Sequence, residues 1–483
     1  MTDILESVLE EFGALAKIPR PSKHEQAVGQ YLFERLQRLG LEVRRDPIGN
    51  VIGELAPSIG YETAPHVILQ AHMDMVCVAN EGVDFNPLND PIKLLRSEEY
   101  LEADGTSLGA DDGIGIAIII RILQTLVDNP ERKHSAIRVI FTVDEEAGMS
   151  GAAALDRKYL EDAAFLINCD SENCEELVVG SAGSVHIDFH RRLRFESPRG
   201  LTAFRLTIGG LRGGHSGEEI NSGRANAIKL LGELLSTLEK SGGNVEIASI
   251  NGGTAVNAIA ARAQADIVTA FDLEHLQPIV DYFIANVQKR FRAVEPNMKI
   301  SIAKLEMPIE TIIAGREIIE LINELRNGVF AMSTPELVET SANIGIIAIE
   351  GERLMLRYFP RSSVNAKLTA IVEKCKAIAE RLHFELETSE PSIAWEENKS
   401  SRLSRLMQEI FAAQNARRPA VKTIHAGLEC SYFFDKNPAL DIVSVGTTNE
   451  HIHSPRERLK LSTVPVQFNL ISAVLERIAA INI

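Results

Sequence analysis

Five short clusters of histidine and acidic residues lie along the chain, and their residue types suit metal chemistry. The clusters are His72-Met73-Asp74, Asp111-Asp112, Glu145-Glu146, Asp170 and His451-Ile452-His453. Carboxylates that face one another repel and raise one another's pKa, and a bound cation removes that cost. Imidazole together with carboxylate suits zinc, with manganese or cobalt as alternatives. Taken singly, each cluster is more typical of a polar turn or a solvated helix start, so its place in the fold matters.

Four of the five clusters come after an apolar segment that is predicted to be a strand. These segments are residues 67–69, 137–143, 164–167 and 442–445. A helix is predicted after the Asp111-Asp112 pair, between the first two strands. Strands that alternate with helices and end in polar residues indicate an α/β sheet with a site at its carboxyl edge. The combination of clusters at successive strand ends therefore favours one shared site.

Two amphipathic helices are predicted near the N-terminus, over residues 4–16 and 25–39. Ser22 lies three residues ahead of Glu25, which is the spacing of a capping box. We therefore expect Ser22 to cap the second helix.

The middle of the chain has a different pattern, in which a helix, a strand pair and a helix occur twice. The first copy lies within residues 225–291 and the second within 316–382. This pattern predicts a separate α+β domain built from two repeats. Because strands and helices alternate again after it, we expect a catalytic domain split into residues 1–183 and 394–483, with residues 184–393 inserted.

Composition excludes several classes of function. The 483 residues carry a net charge of −17, which argues against binding to nucleic acid or to an anionic membrane. Five cysteines without a CxxC pair are typical of a reducing compartment. The N-terminal segment carries acids where a signal peptide carries bases, and the most apolar stretch, residues 113–127, is too short to span a bilayer. We expect a cytoplasmic protein.

Six motifs in a fixed order carry a family resemblance. They are QAHMDM, LGADDGIG, TVDEEAGMSGA, NCDSE, RGGHSGEEI and HIHSP. Together they resemble the di-zinc metallopeptidases of the aminoacylase and carboxypeptidase group, and most of all its subgroup that cleaves Xaa-His dipeptides. The resemblance spans nearly the whole chain. It implies an α/β fold with a phosphorylase/hydrolase-like three-layer α/β/α catalytic domain and an inserted α+β lid domain of two repeats.

The resemblance also implies two divalent ions, most typically zinc, with cobalt or manganese as alternatives. One ion would be held by His72 and Asp170 and the other by Glu146 and His453, with Asp111 bridging both. A bridge is physically reasonable because two cations about 3.5–4 Å apart need a shared anion.

Two further carboxylates receive roles from the same resemblance. Asp74 would accept the second ring N–H of His72 and fix its tautomer. Glu145 would be the general base. The peptide bond between Asp111 and Asp112 is cis in this group, and His451 would be a neighbour of the site with no ligand role.

The inserted domain is expected to contribute to the substrate site. The resemblance implies that His215, in a Gly-rich loop, stabilises the oxyanion, with a turn histidine as the alternative. Arg357 would hold the substrate's free carboxylate, or else be a surface arginine. Asn257 and Glu429 are weaker substrate-binding candidates. Glu429 would receive the substrate's amino terminus or be a structural carboxylate. In many relatives the lid acts across subunits, which makes a homodimer through this domain one expectation. The alternative is that the two repeats of the lid let one chain supply both halves.

The function implied is hydrolysis of Xaa-His dipeptides, including β-alanyl-histidine, and of other unblocked dipeptides, with a small peptide as the partner. An aspartate at position 170 favours peptidases that act on dipeptides, since carboxypeptidases and deacylases of the group tend to carry glutamate. A tripeptide aminopeptidase or an N-acyl amino acid deacylase remains an alternative. An inactive relative that serves as a scaffold is a second one, although no ligand or base is missing here.

Overall fold

The computed structural model describes residues 2–308, 310–335, 337–389 and 391–481. By its internal contacts the chain divides into two units. The first comprises Met1–Gly180, Trp395–Thr423 and Leu428–Ile483, and the second comprises Ser181–Ala394 and Ile424–Gly427. The short segment Ile424–Gly427 lies within the stretch that the sequence assigns to the catalytic domain, so the chain returns to the second unit once more than expected.

The first unit contains a mixed sheet of eight strands. In sheet order these are Glu42–Arg45, Val51–Leu55, Ile137–Thr142, Val67–His72, Phe165–Asn168, Asp441–Ser444, Glu176–Ser181 and Ala420–Ile424. The four strands at its centre are parallel. Every residue of Val67–His72 and of Ile137–Thr142 is buried, which is the pattern of strands covered on both faces.

Helices cover the sheet because their apolar faces need a partner to bury against. They are Thr2–Leu15, Gln26–Arg38, Ala110–Asp128, Glu145–Gly148, Ser150–Ala154, Arg402–Asn415, Cys430–Lys436 and Val464–Ala479, with 3-10 turns at Arg157–Tyr159 and Leu461–Thr463. Alternate residues of the central strand, Val67, Leu69 and Ala71, join the core that the longer helices form. A small sheet of Asn449–Glu450, Arg458–Lys460, Tyr100–Ala103 and Leu94–Arg96 completes the unit.

The second unit is built around a sheet whose main path has eight strands. In sheet order these are Lys299–Leu305, Thr202–Gly209, Ala263–Thr269, Glu246–Gly252, Val338–Glu350, Arg353–Ser362, Ile187–Arg192 and Glu385–Thr388. Gly328–Met332 and Gly183–Ser184 pair beside this path, and Phe195–Glu196 pairs with Thr311–Ile312. The helices are Ala227–Lys240, Leu273–Phe291, Gly315–Glu324 and Asn365–Leu382, with a 3-10 turn at Ile220–Ser222.

The second unit contains two βαββαβ repeats that meet edge to edge in one sheet. The first repeat runs without interruption from Thr202 to Leu305, and its strands lie in the order fourth, first, third, second. The second repeat begins with Ile187–Arg192, which precedes the whole first repeat in the chain and pairs with Arg353–Ser362. One repeat is therefore inserted into the other. The sequence suggested two consecutive halves, because the pairing of that first strand is too distant in the chain to show in a local pattern.

Among the helices in the part of the chain that the structure describes, none is both long and apolar enough to cross a bilayer.

Candidate metal centre

Three parallel strands deliver site residues to one edge of the sheet of the first unit. His72 ends the strand Val67–His72, Asp170 follows Phe165–Asn168, and Glu145 follows Ile137–Thr142. Because these strands are parallel, their carboxyl ends meet at the same edge. The parallel pairing of these strands thus brings together side chains that are more than 90 residues apart in the sequence.

Asp111 lies between two groups of candidate ligands and offers one oxygen to each. Its Oδ1 is 3.0 Å from Nε2 of His72, and its Oδ2 is 3.1 Å from Nε2 of His453. Nε2 of His72 is also 3.4 Å from Oδ1 of Asp170, and Nε2 of His453 is 2.9 Å from Oε2 of Glu146. The structure therefore brings together all the residues that the resemblance nominates as ligands. The peptide bond from Asp111 to Asp112 is cis, as the resemblance implied.

The neighbouring histidine and aspartate are arranged differently. His451 is exposed and takes part in none of the candidate ligand groups among the described residues. Asp112 forms an alternative group with His72 and Asp170. Its Oδ2 accepts a hydrogen bond of 3.3 Å from the backbone N–H of His72, so it holds the end of the strand in place.

Asp74 is fully buried and organises the residues around it. Its Oδ1 lies 3.4 Å from Nδ1 of His72, where it can fix the ring. It accepts the backbone N–H of Glu145 at 3.0 Å and of Glu146 at 3.1 Å. Burial alone would raise the pKa of Asp74, but the hydrogen bond from His72 and the other donors lower it to about 2. Asp74 is therefore an ionised anchor for both glutamates.

Ser22 also belongs to this group, and its predicted role was wrong. The helix begins at Gln26 without a side-chain cap, and the Ser22 hydroxyl instead donates to Oδ2 of Asp74 at 2.7 Å. A capping-box spacing cannot reveal this contact, because a distant buried carboxylate competes for the same hydroxyl.

The electrostatics of the cluster fit a bound cation. Burial, and then the charge of Asp170, raise the pKa of Glu145 well above its usual value. Burial, and then the charge of Asp111, raise that of Glu146. Oε1 of Glu146 is buried and has no hydrogen-bond partner among the residues that the structure describes. Converging carboxylates with an unsatisfied buried oxygen are costly unless a positive charge lies among them, so the donor set fits divalent ions.

Two buried residues that the sequence analysis missed hold the ligand loops. Arg20 donates to the carbonyl oxygens of Met73, Asp74 and Gly109. The carboxylate of Glu457 accepts the backbone N–H groups of residues 108–111. Neither residue belongs to a sequence motif of metal ligands. Both bind main-chain atoms, which every residue has, so no pattern of residue types identifies them in the sequence. The nearest signal was the position of Glu457 four residues after His453.

Glu429 lies under the sheet edge in a buried polar network. Its Oε2 accepts hydrogen bonds of 2.7 Å from Gln70 and from Thr142, and Gln70 in turn accepts one of 2.6 Å from Asn168. Oε1 has no partner. The side chain is fully buried, which favours the structural alternative over contact with a substrate amine.

The buried position of Glu429 predicts a pH-dependent stability. Burial is the largest influence on its pKa and raises it to about 7. The folded state therefore binds this proton more tightly than the unfolded state, so the stabilisation is complete below about pH 4.3 and is lost as the pH rises through about 7. Glu429→Gln, which is neutral at every pH, should gain up to about 3 kcal/mol relative to the parent between pH 5 and 8.

Urea unfolding at pH 5 and at pH 8 checks this prediction. The protein is treated with a chelator first, because bound metal would lower the pKa of a nearby carboxyl group. Glu161→Gln, at an exposed position, is the control and should follow the parent. A constant difference between Glu429→Gln and the parent across this pH range would contradict it.

The remaining candidates lie in the second unit. His215 and Asn257 lie on two loops that pair through their backbones. The N–H of Ser216 donates to the Asn257 carbonyl at 2.8 Å, and His215 forms an antiparallel β-bridge with Ala258. Glu219 accepts the N–H of His215 at 2.8 Å and fixes its loop. The sequence pattern alone did not show that these loops pair.

Arg357 and Arg361 lie on the same strand in different environments. Nε of Arg357 is 3.5 Å from Asp188, and its side chain is 41% exposed. Arg361 is 6% exposed, and its Nε has no hydrogen-bond partner in the part of the chain that the structure describes. Burial lowers the pKa of Arg361 to about 10, against the attraction of Glu218. A buried guanidinium without an ion pair among the described residues is suited to an external anion. Sequence spacing did not single it out.

Comparison with known proteins identifies the family of this chain. Residues 68–477 match the model of peptidase family M20/M25/M40. The chain is 32% identical over 475 residues to the cytosol non-specific dipeptidase of Escherichia coli (strain K12), which covers 97% of each protein. The chain belongs to this peptidase family. It is accordingly a metallopeptidase, and the predicted hydrolase class is confirmed.

Solved structures place it in the same family. The crystal structure of aminoacylhistidine dipeptidase from Vibrio alginolyticus superposes with a TM-score of 0.85 at 32% identity, covering 98% of this chain and 96% of that one. This match confirms the predicted fold class. A tripeptidase from Staphylococcus aureus has a TM-score of 0.59 at 17% identity and shows the fold alone. Peptidase T of Staphylococcus epidermidis matches over only 24% of this chain, so the tripeptidase alternative is the more distant one.

Proposed function

We propose that this M20 peptidase is a two-metal dipeptidase that hydrolyses unblocked dipeptides, with Xaa-His dipeptides and β-alanyl-histidine among its substrates. The observation that carries the proposal is the geometry of Asp111, whose two oxygens face two separate imidazole and carboxylate groups. Two ions that share one carboxylate are typical of two-metal hydrolases. The names of the Escherichia coli and Vibrio relatives support the substrate class.

In this proposal the ligands divide into two sets that share Asp111. His72 and Asp170 would hold one ion, and Glu146 and His453 would hold the other. Mixed nitrogen and oxygen donors suit zinc best, and cobalt or manganese suit them as well. When bound, the ions would supply Lewis acidity, which polarises the scissile carbonyl and makes water more acidic.

The chain's own residues carry the proton transfers. Glu145 accepts a proton from the attacking water and passes it to the nitrogen of the leaving amine. Glu145 suits this task by its position, because one of its oxygens lies within 4.8 Å of a ring nitrogen of His72 and of a carboxylate oxygen of Glu146. Asp74 holds Glu145 by its backbone N–H and orients the His72 ring. His215 is proposed to donate a hydrogen bond to the oxyanion, with Asn257 as its neighbour on the paired loop.

A comparison of three substrate classes tests this function. Purified protein should contain about two zinc-class ions per chain. It should cleave β-alanyl-histidine and other free dipeptides faster than a tripeptide or an N-acetyl amino acid. Chelation should remove the activity, and added metal should restore it. A preference for the tripeptide would instead support the aminopeptidase alternative, and a preference for the N-acetyl amino acid would support the deacylase.

We assign the substrate's free carboxylate to Arg361 rather than to Arg357, which stays a weaker candidate. Arg361→Met should raise KM for a dipeptide by at least about 30-fold, since loss of a buried charge partner costs about 2 kcal/mol or more. Arg357→Met, on the same strand, should change KM only a few-fold, because exposed ion pairs contribute about 0–1 kcal/mol. Steady-state kinetics with a free dipeptide and its C-terminal amide measure both effects. The amide should be insensitive to Arg361→Met, and the opposite ranking of the two variants would reverse the assignment.

We also propose that the protein works in the cytoplasm and engages neither nucleic acid nor membranes. The acidic composition and the name of the cytosolic relative support this. A homodimer through the second unit remains a proposal, which light scattering of the purified protein tests directly.

A further inference from the structure

The carboxylate of Glu457 accepts hydrogen bonds from four consecutive backbone N–H groups next to the candidate metal centre. Its Oε2 accepts the backbone N–H of Leu108 at 2.8 Å and of Gly109 at 3.0 Å. Its Oε1 accepts that of Ala110 at 2.8 Å and of Asp111 at 3.4 Å. The residue is 3% exposed. These donors lie at the irregular N-terminal end of the helix Ala110–Asp128, where Asp111 and Asp112 have non-helical backbone angles, so Glu457 satisfies four backbone N–H groups of an irregular turn.

The position of Glu457 in the chain links two ligand loops. It lies four residues after His453, and it binds the segment that ends in Asp111. These two ligands face each other, with Oδ2 of Asp111 3.1 Å from Nε2 of His453. Glu457 therefore ties one loop to the other at the point where their side chains converge.

The candidate ligands differ in what else holds them in place. His72 ends a central strand, and its backbone N–H is bound by Asp112. Glu146 is fixed by Asp74 through its backbone N–H. His453 is 46% exposed and has a positive φ of 57° in a loop between two short strands. Its placement depends on local turns and on the anchor that Glu457 provides.

We propose that Glu457 is a positioning residue that sets the spacing between Asp111 and His453 and thereby the affinity of one of the two metal ions. The affected ion is the one assigned to Glu146, His453 and Asp111, since Glu457 holds two of its three ligands but only one ligand of the other ion. This inference rests on the proposed two-metal function. In this inference Glu457 acts through the backbone that it binds and contacts neither metal nor substrate.

Glu457→Gln is the informative variant. The amide keeps the shape of the carboxylate but turns one acceptor into a donor, which then faces backbone N–H groups. Glu457→Asp keeps the charge on a shorter side chain. Zn²⁺ titration against a chromophoric chelator gives the two dissociation constants without measuring activity. In Glu457→Gln one ion should bind about 10–100-fold more weakly and the other should be unchanged. Glu457→Asp should weaken the same ion by less.

Asp441 provides a matched control in the same unit. It is a buried carboxylate that also binds the start of a helix, through Arg402 N at 2.7 Å, Leu403 N at 3.0 Å and the Ser401 hydroxyl at 2.6 Å. It begins its strand and is thus at the opposite edge of the sheet from the site. Asp441→Asn and Glu457→Gln should each lower the urea midpoint, because each places an amide against backbone N–H groups, but Asp441→Asn should leave both zinc affinities unchanged.

A second comparison identifies the affected ion. His453→Ala should leave one zinc ion per chain, and adding Glu457→Gln to that variant should change the remaining affinity little. Equal weakening of both ions in Glu457→Gln, or no weakening, would show that Glu457 is structural only. Parent protein that binds fewer than two ions would instead refute the proposed function and the inference with it, so the two failures are distinguishable.

Discussion

Replacing Glu145 with alanine should lower kcat for dipeptide hydrolysis by about 10²–10⁴-fold while both metal ions remain bound. The side chain is partly buried, and desolvation together with the charges of Asp170 and Glu146 raises its pKa in the metal-free protein. Its carboxylate is the group proposed to take the proton from the attacking water and to pass it to the leaving amine. Alanine removes the acceptor but leaves all the assigned ligands in place.

The adjacent glutamate is the matched control for this prediction. Glu146→Ala should also reduce activity, but through loss of one metal ion, because Oε2 of Glu146 lies 2.9 Å from Nε2 of His453. Metal analysis and single-turnover kinetics on the two variants separate the roles. Near-normal turnover in Glu145→Ala would refute the assigned mechanism. Loss of metal in that variant would move Glu145 into the ligand set, which is a grouping with His72 and Glu146 that the geometry permits.

Asp111→Asn should have the largest effect on metal binding. An asparagine side chain has one oxygen and no charge, so it cannot face both His72 and His453 as the carboxylate does. Two divalent cations about 3.5–4 Å apart repel strongly without a shared anion. We expect about one ion per chain in place of two, and a loss of activity greater than the roughly 100-fold that removal of an outer hydrogen-bond partner can cause.

Asp112→Asn is the control for Asp111, since the two residues are adjacent and buried or nearly so. Asp112 accepts the N–H of His72, and an amide oxygen can still accept that bond. The variant should retain two ions. Inductively coupled plasma analysis after dialysis measures both proteins. If Asp112→Asn loses metal and Asp111→Asn does not, the alternative group of His72, Asp112 and Asp170 is the correct one.

Much of the first unit could be predicted from local patterns. The strand before His72 and the helix after the Asp111-Asp112 pair both lie within a few residues of their expected positions. These elements have strong apolar periodicity, and their burial reflects it. The order of the motifs also nominated each of the residues that the structure gathers around Asp111.

Contacts between residues far apart in the chain could not be predicted in the same way. Ser22 binds Asp74 and does not cap its own helix. Glu457 and Arg20 bind backbone groups, which every residue has, so no residue type marks their partners. Arg361 differs from Arg357 only in burial, and burial depends on the packing of the whole second unit.

The sequence by itself indicated the chemistry of this protein, a peptidase with candidate histidine and carboxylate ligands at strand ends, because residue type, charge and motif order can be read along the chain. The tertiary structure decided which groups hold those candidate ligands in place and which buried charges have no partner among the described residues. It also showed that one βαββαβ repeat is inserted in the other. These features depend on long-range pairing and on desolvation, which arise only when distant segments pack against one another.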